Sequence, residues 1–174
     1  MKNIYFGFIA FVLLALSSCS DPKDEYSYGT LIEYDWNAAA DSASNALINK
    51  FWNETGNYFN YGNDDKELTF HYWPNAHAMD VVIDAYLRTN DSKYSAYFDK
   101  WFAGIKIKNG NTYENAYVDD MEWNALTMIR LYNITKDQKY LDAAQQLWGW
   151  IKDAWSEDVG GGIRWCTGSW GEFT

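Results

Sequence analysis

The amino-acid sequence predicts an all-α domain. Three observations carry that expectation. Apolar residues recur at steps of three and four in five stretches, the connections between them are short and hold cap and breaker residues, and the length suits one domain. In the first stretch Trp36, Ala40, Ala43, Leu47 and Phe51 share one face and predict a helix over 35–52. Pro74 suits the first position of a second helix, where its missing N–H costs nothing, and Met79, Val82, Ile83 and Tyr86 carry the stripe to about Arg88. Asn90-Asp91-Ser92 then offers cap chemistry. Tyr94, Tyr97, Trp101 and Ile105 mark a third helix, which Asn109-Gly110-Asn111 breaks. Met121, Ala125, Met128 and Tyr132 stripe a fourth. Asp137 caps a fifth, and Leu141, Ala144, Leu147, Ile151 and Trp155 continue it towards Gly160-Gly161-Gly162. Trp101 and Trp148, beside these stripes, read as packing residues.

A short internal echo points to repeated helical hairpins. Phe51-Trp52-Asn53-Glu54, followed by Gly56 and then Tyr58 and Phe59, is matched by Ala154-Trp155-Ser156-Glu157, the three glycines and Ile163-Arg164-Trp165. In both, a helix ends in an aromatic, turns at glycine and enters a short extended stretch.

The N-terminus speaks to compartment. Met1-Lys2-Asn3 is a short positive start, Ile4 to Leu16 is an apolar run too short to span a bilayer, and Leu16-Ser17-Ser18-Cys19 follows at once. This pattern resembles a bacterial lipobox, which implies cleavage before Cys19 and acylation of its thiol. The expected organisation is a signal peptide over 1–18, a tether over 19–34 and a helical domain over 35–174. The expected location is the outer membrane or cell surface, with a periplasm-facing anchor left open.

Charge excludes several partner classes. The whole chain carries a net charge of −10, and loss of Lys2 with the leader makes the remainder one unit more acidic. Nucleic acid is excluded as a partner, since neutralising phosphates takes clustered Lys and Arg, and anionic polysaccharides are disfavoured by the same sign of charge. With Cys19 lipidated, Cys166 has no intramolecular partner, so no disulfide framework is available. His71 and His77, six residues apart, do not share a helix face, which argues against a histidine metal site.

The sharpest chemical feature is Asp119-Asp120, set in Tyr117-Val118-Asp119-Asp120-Met121-Glu122-Trp123-Asn124 at the start of the fourth helix. Two neighbouring carboxylates among aromatic residues suit glycoside hydrolysis, which needs one group protonated while the other stays ionised. The structural alternative is a capping box, for which Asp119 and Glu122 have the D-x-x-E spacing. Aromatics make up 19% of the chain, with 10 Trp and 14 Tyr, more than a core of this size requires. Flat rings stack on the C–H faces of sugars while Trp and Tyr keep a polar atom for hydroxyls. Trp73, Tyr117, Trp123 and Trp165, near helix ends or loops, are therefore candidate sugar contacts.

Four segments in order then resemble one family. They are Tyr72-Trp73-Pro74-Asn75-Ala76-His77-Ala78-Met79-Asp80-Val81-Val82-Ile83-Asp84-Ala85-Tyr86, Tyr117 to Leu126, Lys139-Tyr140-Leu141-Asp142-Ala143-Ala144, and Gly160-Gly161-Gly162-Ile163-Arg164-Trp165. Together they resemble glycoside hydrolase family 76, the bacterial and fungal endo-α-1,6-mannanases. The resemblance implies an (α/α)6 barrel, of which the five helices here would be the first part, and an open cleft for α-mannan or another neutral polysaccharide. It implies Asp119 as nucleophile and Asp120 as general acid/base of a retaining double displacement, with no metal or organic cofactor. It adds Asn75 and His77 to Trp73, Tyr117, Trp123 and Trp165 as expected substrate contacts. Two further readings stand beside it: a glycan-binding surface lipoprotein that uses the aromatics without catalysis, and an inactive remnant with exposed apolar helix faces.

Overall fold

Cap chemistry and apolar spacing set the helices. The computed structural model describes residues 34–64 and 68–168; the signal peptide, Cys19 and the tether before Tyr34 lie outside the described residues. Helix α1 spans Trp36–Phe51 and begins at Asp35, whose carboxylate accepts the Ala38 N–H at 3.0 Å. Helix α2 spans Tyr72–Thr89 and ends at Asn90 in the left-handed conformation, with φ 53°. Asp91 caps the one-turn helix α3, Ser92–Ser95, which is followed by α4, Phe98–Lys108. Helix α5 spans Val118–Thr135, and α6, capped by Asp137, spans Gln138–Asp153.

Two small hairpins follow the echo in the sequence. Strands β1 (Trp52–Asn53) and β2 (Tyr58–Phe59) pair antiparallel after α1, with Trp52 opposite Phe59. Strands β3 (Trp155–Ser156) and β4 (Gly162–Ile163) do the same after α6, with Trp155 opposite Ile163.

Helices α2 and α5 pack side by side, and α5 packs in turn on α6. Close approach is possible because Ala76 is a small, fully buried residue, and Thr127 Oγ1 donates to its carbonyl at 3.3 Å. Helix α4 ties into both neighbours: Trp101 Nε1 donates to the Asn75 carbonyl at 3.1 Å, and Phe102 meets the Tyr140 ring edge-on. The core runs through Met79, Val82 and Ile83 of α2, Trp101 and Ile105 of α4, Met121, Met128 and Leu131 of α5, and Leu147 and Ile151 of α6.

Several expectations shift at this level. The third stretch is two helices, with Tyr94 of α3 and Trp101 of α4 both fully buried. Helix α2 begins at Tyr72, so Pro74 is its third residue, still inside the turn whose N–H groups have no intrahelical partner. In α1 the packed face is Ser44, Leu47, Ile48 and Phe51, while Trp36 is 75% exposed. Trp148 is not a packing residue: it lies on the solvent side of α6 and is 55% exposed. Trp155 is likewise exposed, because the helix ends at Asp153 and the hairpin turns its ring outward.

Asn75 is the clearest correction. It is 1% exposed and makes no surface for a ligand. Its Oδ1 accepts the Phe59 N–H at 2.7 Å, and its Nδ2 donates to the carbonyls of Phe59 at 2.9 Å and His71 at 2.8 Å. The side chain is consumed in pinning the first hairpin to the start of α2.

Gly104 of α4 permits a second close approach. A Cβ there would stand 2.0 Å from the Asn57 carbonyl oxygen of the hairpin turn, a backbone atom that cannot swing away. Asn75→Ala is therefore expected to lower unfolding free energy by about 1–3 kcal/mol, by orphaning the Phe59 groups. Gly104→Ala is expected to cost a similar amount, about 1–3 kcal/mol, through overpacking. Urea unfolding midpoints measure both, and an unshifted midpoint in either variant contradicts the packing described.

Candidate active site

The carboxylate pair is delivered by a loop whose polar groups are largely spent on holding it. Asn109 ends α4 and donates through Nδ2 to the carbonyls of Thr112 and Glu114, both at 2.8 Å. Its Oδ1 accepts from Asn115 Nδ2 at 2.9 Å, and Asn115 Oδ1 accepts the Tyr117 N–H at 2.9 Å. Tyr72 Oη donates to the Tyr113 carbonyl at 2.9 Å, fastening the same loop to α2.

Helix α5 starts without a side-chain cap. Tyr117 holds the cap position with extended backbone (φ −87°, ψ 117°), and the Val118 N–H donates to the Trp165 carbonyl at 2.8 Å. The Thr167 N–H returns to the Ala116 carbonyl at 2.9 Å, making an antiparallel bridge between Tyr117 and Cys166. Asp119 and Asp120 therefore stand at the second and third positions of the helix. The capping-box alternative is overturned, because Asp119 is already inside the helix and cannot adopt the cap's extended backbone.

Asp119 and Asp120 share a cavity of about 290 Å³ with His71, Tyr72, Trp73, Tyr117 and Trp165. Four of the residues singled out in the sequence for catalysis or sugar contact beside Asp120, namely Asp119, Trp73, Tyr117 and Trp165, thus meet in one place. Asp119 also borders a second concavity of about 390 Å³ with Glu122, Arg164 and Trp165. The Tyr117 and Trp165 rings pack edge to face, with centroids 5.3 Å apart. His77 and Trp123 lie one helical turn further along α2 and α5 from Trp73 and Asp119, outside the first cavity's lining. His77 touches both indoles, at 5.6 Å from Trp73 and 4.6 Å from Trp123. His71 and Tyr72 line the cavity but were not singled out. Tyr72 opens the first of the four resembling segments, and His71 immediately precedes it.

The two carboxylates differ in environment. Asp120 is 8% exposed, and its carboxylate accepts the Trp73 backbone N–H at the start of α2. Burial and then the neighbouring Asp119 charge push its pKa up to about 6, against the lowering effect of that N–H. Asp119 Oδ1 is buried with no hydrogen-bond donor among the described residues. An unpaired buried carboxylate oxygen costs free energy and is uncommon away from functional sites.

A larger concavity of about 530 Å³ lies between α4 and α6, lined by Phe102, Lys106, Tyr113, Lys139, Asp142 and Gln146. It holds a single carboxylate and so lacks the pair of acidic groups that two-carboxylate chemistry needs. Among the described residues no group of three or more His, Cys, Asp and Glu could hold a metal ion.

Comparison with known proteins agrees with this geometry. The family model described as glycosyl hydrolase family 76 matches residues 35–172. No curated protein matches the chain. Among solved structures, the α-1,6-mannanase GH76A from Salegentibacter sp. HEL1_6 is 40% identical, with a TM-score of 0.73, over 76% of this chain and 39% of that chain. An inactive variant of that enzyme, with two consecutive aspartates replaced by asparagine, is 38% identical with the same TM-score and coverage, and is in complex with α-1,6-mannotriose. A family 76 mannosidase from Bacteroides thetaiotaomicron is 22% identical with a TM-score of 0.62 over 74% of this chain and 40% of that chain, a likeness of fold. The chain thus spans about 39% of the length of the solved mannanase it matches. By the family match over residues 35–172 and the likeness of its helices to these structures, the chain belongs to glycosyl hydrolase family 76, and its fold is part of an (α/α)6 barrel.

Proposed function

We propose that the chain carries the catalytic segment of a retaining, endo-acting glycoside hydrolase that cleaves α-1,6-mannan. The observation that carries this reading is the Asp119-Asp120 pair in an aromatic cavity, with Asp120 raised to about 6. The solved mannanase supports it, since its inactive variants replace two consecutive aspartates and hold α-1,6-mannotriose or α-1,6-mannotetrose.

The environments divide the labour. Asp120, which holds a proton at higher pH than an ordinary carboxyl, protonates the departing glycosidic oxygen, and Asp119 attacks the anomeric carbon to form a glycosyl-enzyme ester. Water then enters, Asp120 takes its proton, and the ester is cleaved with overall retention. Trp73, Tyr117 and Trp165 offer ring faces on which the sugar packs. His77 and Trp123 continue that surface along α2 and α5. The two concavities that meet at Asp119 suit a chain passing through, which supports endo action.

The lipobox at Leu16-Ser17-Ser18-Cys19 supports a lipid anchor that would hold the enzyme at the outer membrane or cell surface. Labelled palmitate is expected to enter the wild-type chain and to be absent from Cys19→Ser; equal labelling of both would exclude the anchor.

Incubation with linear α-1,6-mannan tests the activity. Shortened products are expected from the wild type, with the α anomer formed first as read by NMR, whereas Asp119→Asn and Asp120→Asn are each expected to lose on the order of 10²–10⁴-fold in rate. An intact Asp119→Asn variant that still cleaves mannan would remove Asp119 as nucleophile.

A pH series tests Asp120 separately. Activity is expected to fall as pH rises past about 6, where the acid loses its proton. Its folded pKa lies above the ordinary 3.8, so the folded state binds the proton more tightly and the contribution to stability is lost as pH rises from about 4 to about 6. Asp120→Asn should flatten that decline by about 1–2 kcal/mol, less than the full shift implies because the cavity is open to water. Urea unfolding at several pH values checks it, and parallel profiles for the two proteins would contradict the assignment.

A further inference from the structure

One exposed ring adjoins the carboxylate cavity without lining it. Tyr61 is 53% exposed, and its ring stands 4.4 Å from the His71 imidazole, centroid to centroid, at a tilt of 40°. His71 is itself part of the cavity wall with Asp119 and Asp120. The contact therefore extends the run of flat faces one ring outward from the cavity.

The backbone that carries this ring is pinned. The Tyr61 N–H donates to the Thr69 carbonyl at 2.8 Å, and Asn60 bridges Phe70 in antiparallel register. The Asn60 N–H donates to the Phe51 carbonyl at 2.8 Å, and its Oδ1 accepts from Asn53 Nδ2 at 3.3 Å. These bonds fix the base of an aromatic side chain that the core does not use. A tyrosine presents an apolar face and a polar hydroxyl edge, loses little rotamer freedom on binding, and so suits a flat hydroxylated ligand. It carries no charge to exclude a neutral sugar.

We propose that Tyr61, backed by His71, is an outlying platform that holds a hexose unit of the mannan chain beyond those seated in the cavity, making the site favour long chains over short ones. This rests on the reading of the cavity as a mannan site. Its occupant is a neutral hexose ring of the same polysaccharide.

Equilibrium binding tests it without requiring turnover. Affinities of the purified Asp119→Asn chain, which leaves the saccharide uncleaved, are measured for α-1,6-mannotriose and for a longer linear α-1,6-mannooligosaccharide by titration calorimetry. With Tyr61 in place, this chain is expected to bind the longer saccharide more tightly. Tyr61→Ala is expected to reduce that preference on the order of 3–10-fold, and Tyr61→Phe, which keeps the ring face, to retain most of it. Leu87→Ala, exposed on α2 about 22 Å along the helix from Tyr72, is the control and should leave both affinities unchanged. A Tyr61→Ala variant with an unaltered preference for long chains overturns the platform while leaving the mannan reading intact. Binding of neither saccharide by the chain with Tyr61 in place overturns both.

Discussion

The α2 side of the carboxylate cavity is held in place by one buried amide. Asn75 is nearly solvent-free, and its side chain bonds both backbone groups of Phe59 in the hairpin and the carbonyl of His71 before α2. Its own carbonyl receives the Trp101 indole from α4. Hairpin, α2 and α4 are thus fixed to one another through a residue whose polar atoms would each carry a desolvation cost if left unpaired. Within about one turn of chain lie the consequences: His71 and Trp73 take up their places on the cavity wall with the start of α2 held by these bonds.

The same helix start acts on the chemistry. The first N–H groups of a helix have no intrahelical partner and gather partial positive charge. In α2 one of these, on Trp73, is answered by the carboxylate of Asp120 from a different helix. That bond orients the side chain and favours its ionised form, while burial and the adjacent Asp119 act the other way and prevail. The result is a pair of chemically identical side chains, consecutive in sequence, that are not equivalent. Helix α5 can offer both to the cavity because its own cap is supplied by the Trp165 carbonyl, which leaves Asp119 free of structural duty.

Much of the fold was legible because its helices are amphipathic and their ends carry specific residues. Met79, Val82 and Ile83 lie in the core as their spacing requires, and Asp35, Asp91 and Asp137 cap the helices that follow them. The paired echoes at Trp52 and Trp155 are both hairpins. Illegible were the features that depend on what lies across the gap. Trp148 has the spacing of a packed residue but faces solvent, and Asn75 sits in a motif rich in site residues but serves the backbone. Neither outcome follows from local periodicity, since both turn on which neighbouring element occupies the adjacent space.

The sequence by itself determined the helix boundaries to within about a turn, save the division of the third stretch into α3 and α4, together with the acidic and aromatic character of the chain and the adjacency of Asp119 and Asp120. These are local or compositional properties, set by φ/ψ preference, capping and side-chain type. Only the tertiary structure decided that the pair stands beside Trp73 and His71 from α2 and Trp165 from beyond α6, residues up to 94 positions apart between His71 and Trp165 in the chain. It also decided that the D-x-x-E spacing is not a cap, and that Asp120 is the carboxyl held above its ordinary pKa. The reason is physical: burial, a neighbour's charge and a donated amide are properties of surroundings, and surroundings are assembled only when distant segments pack.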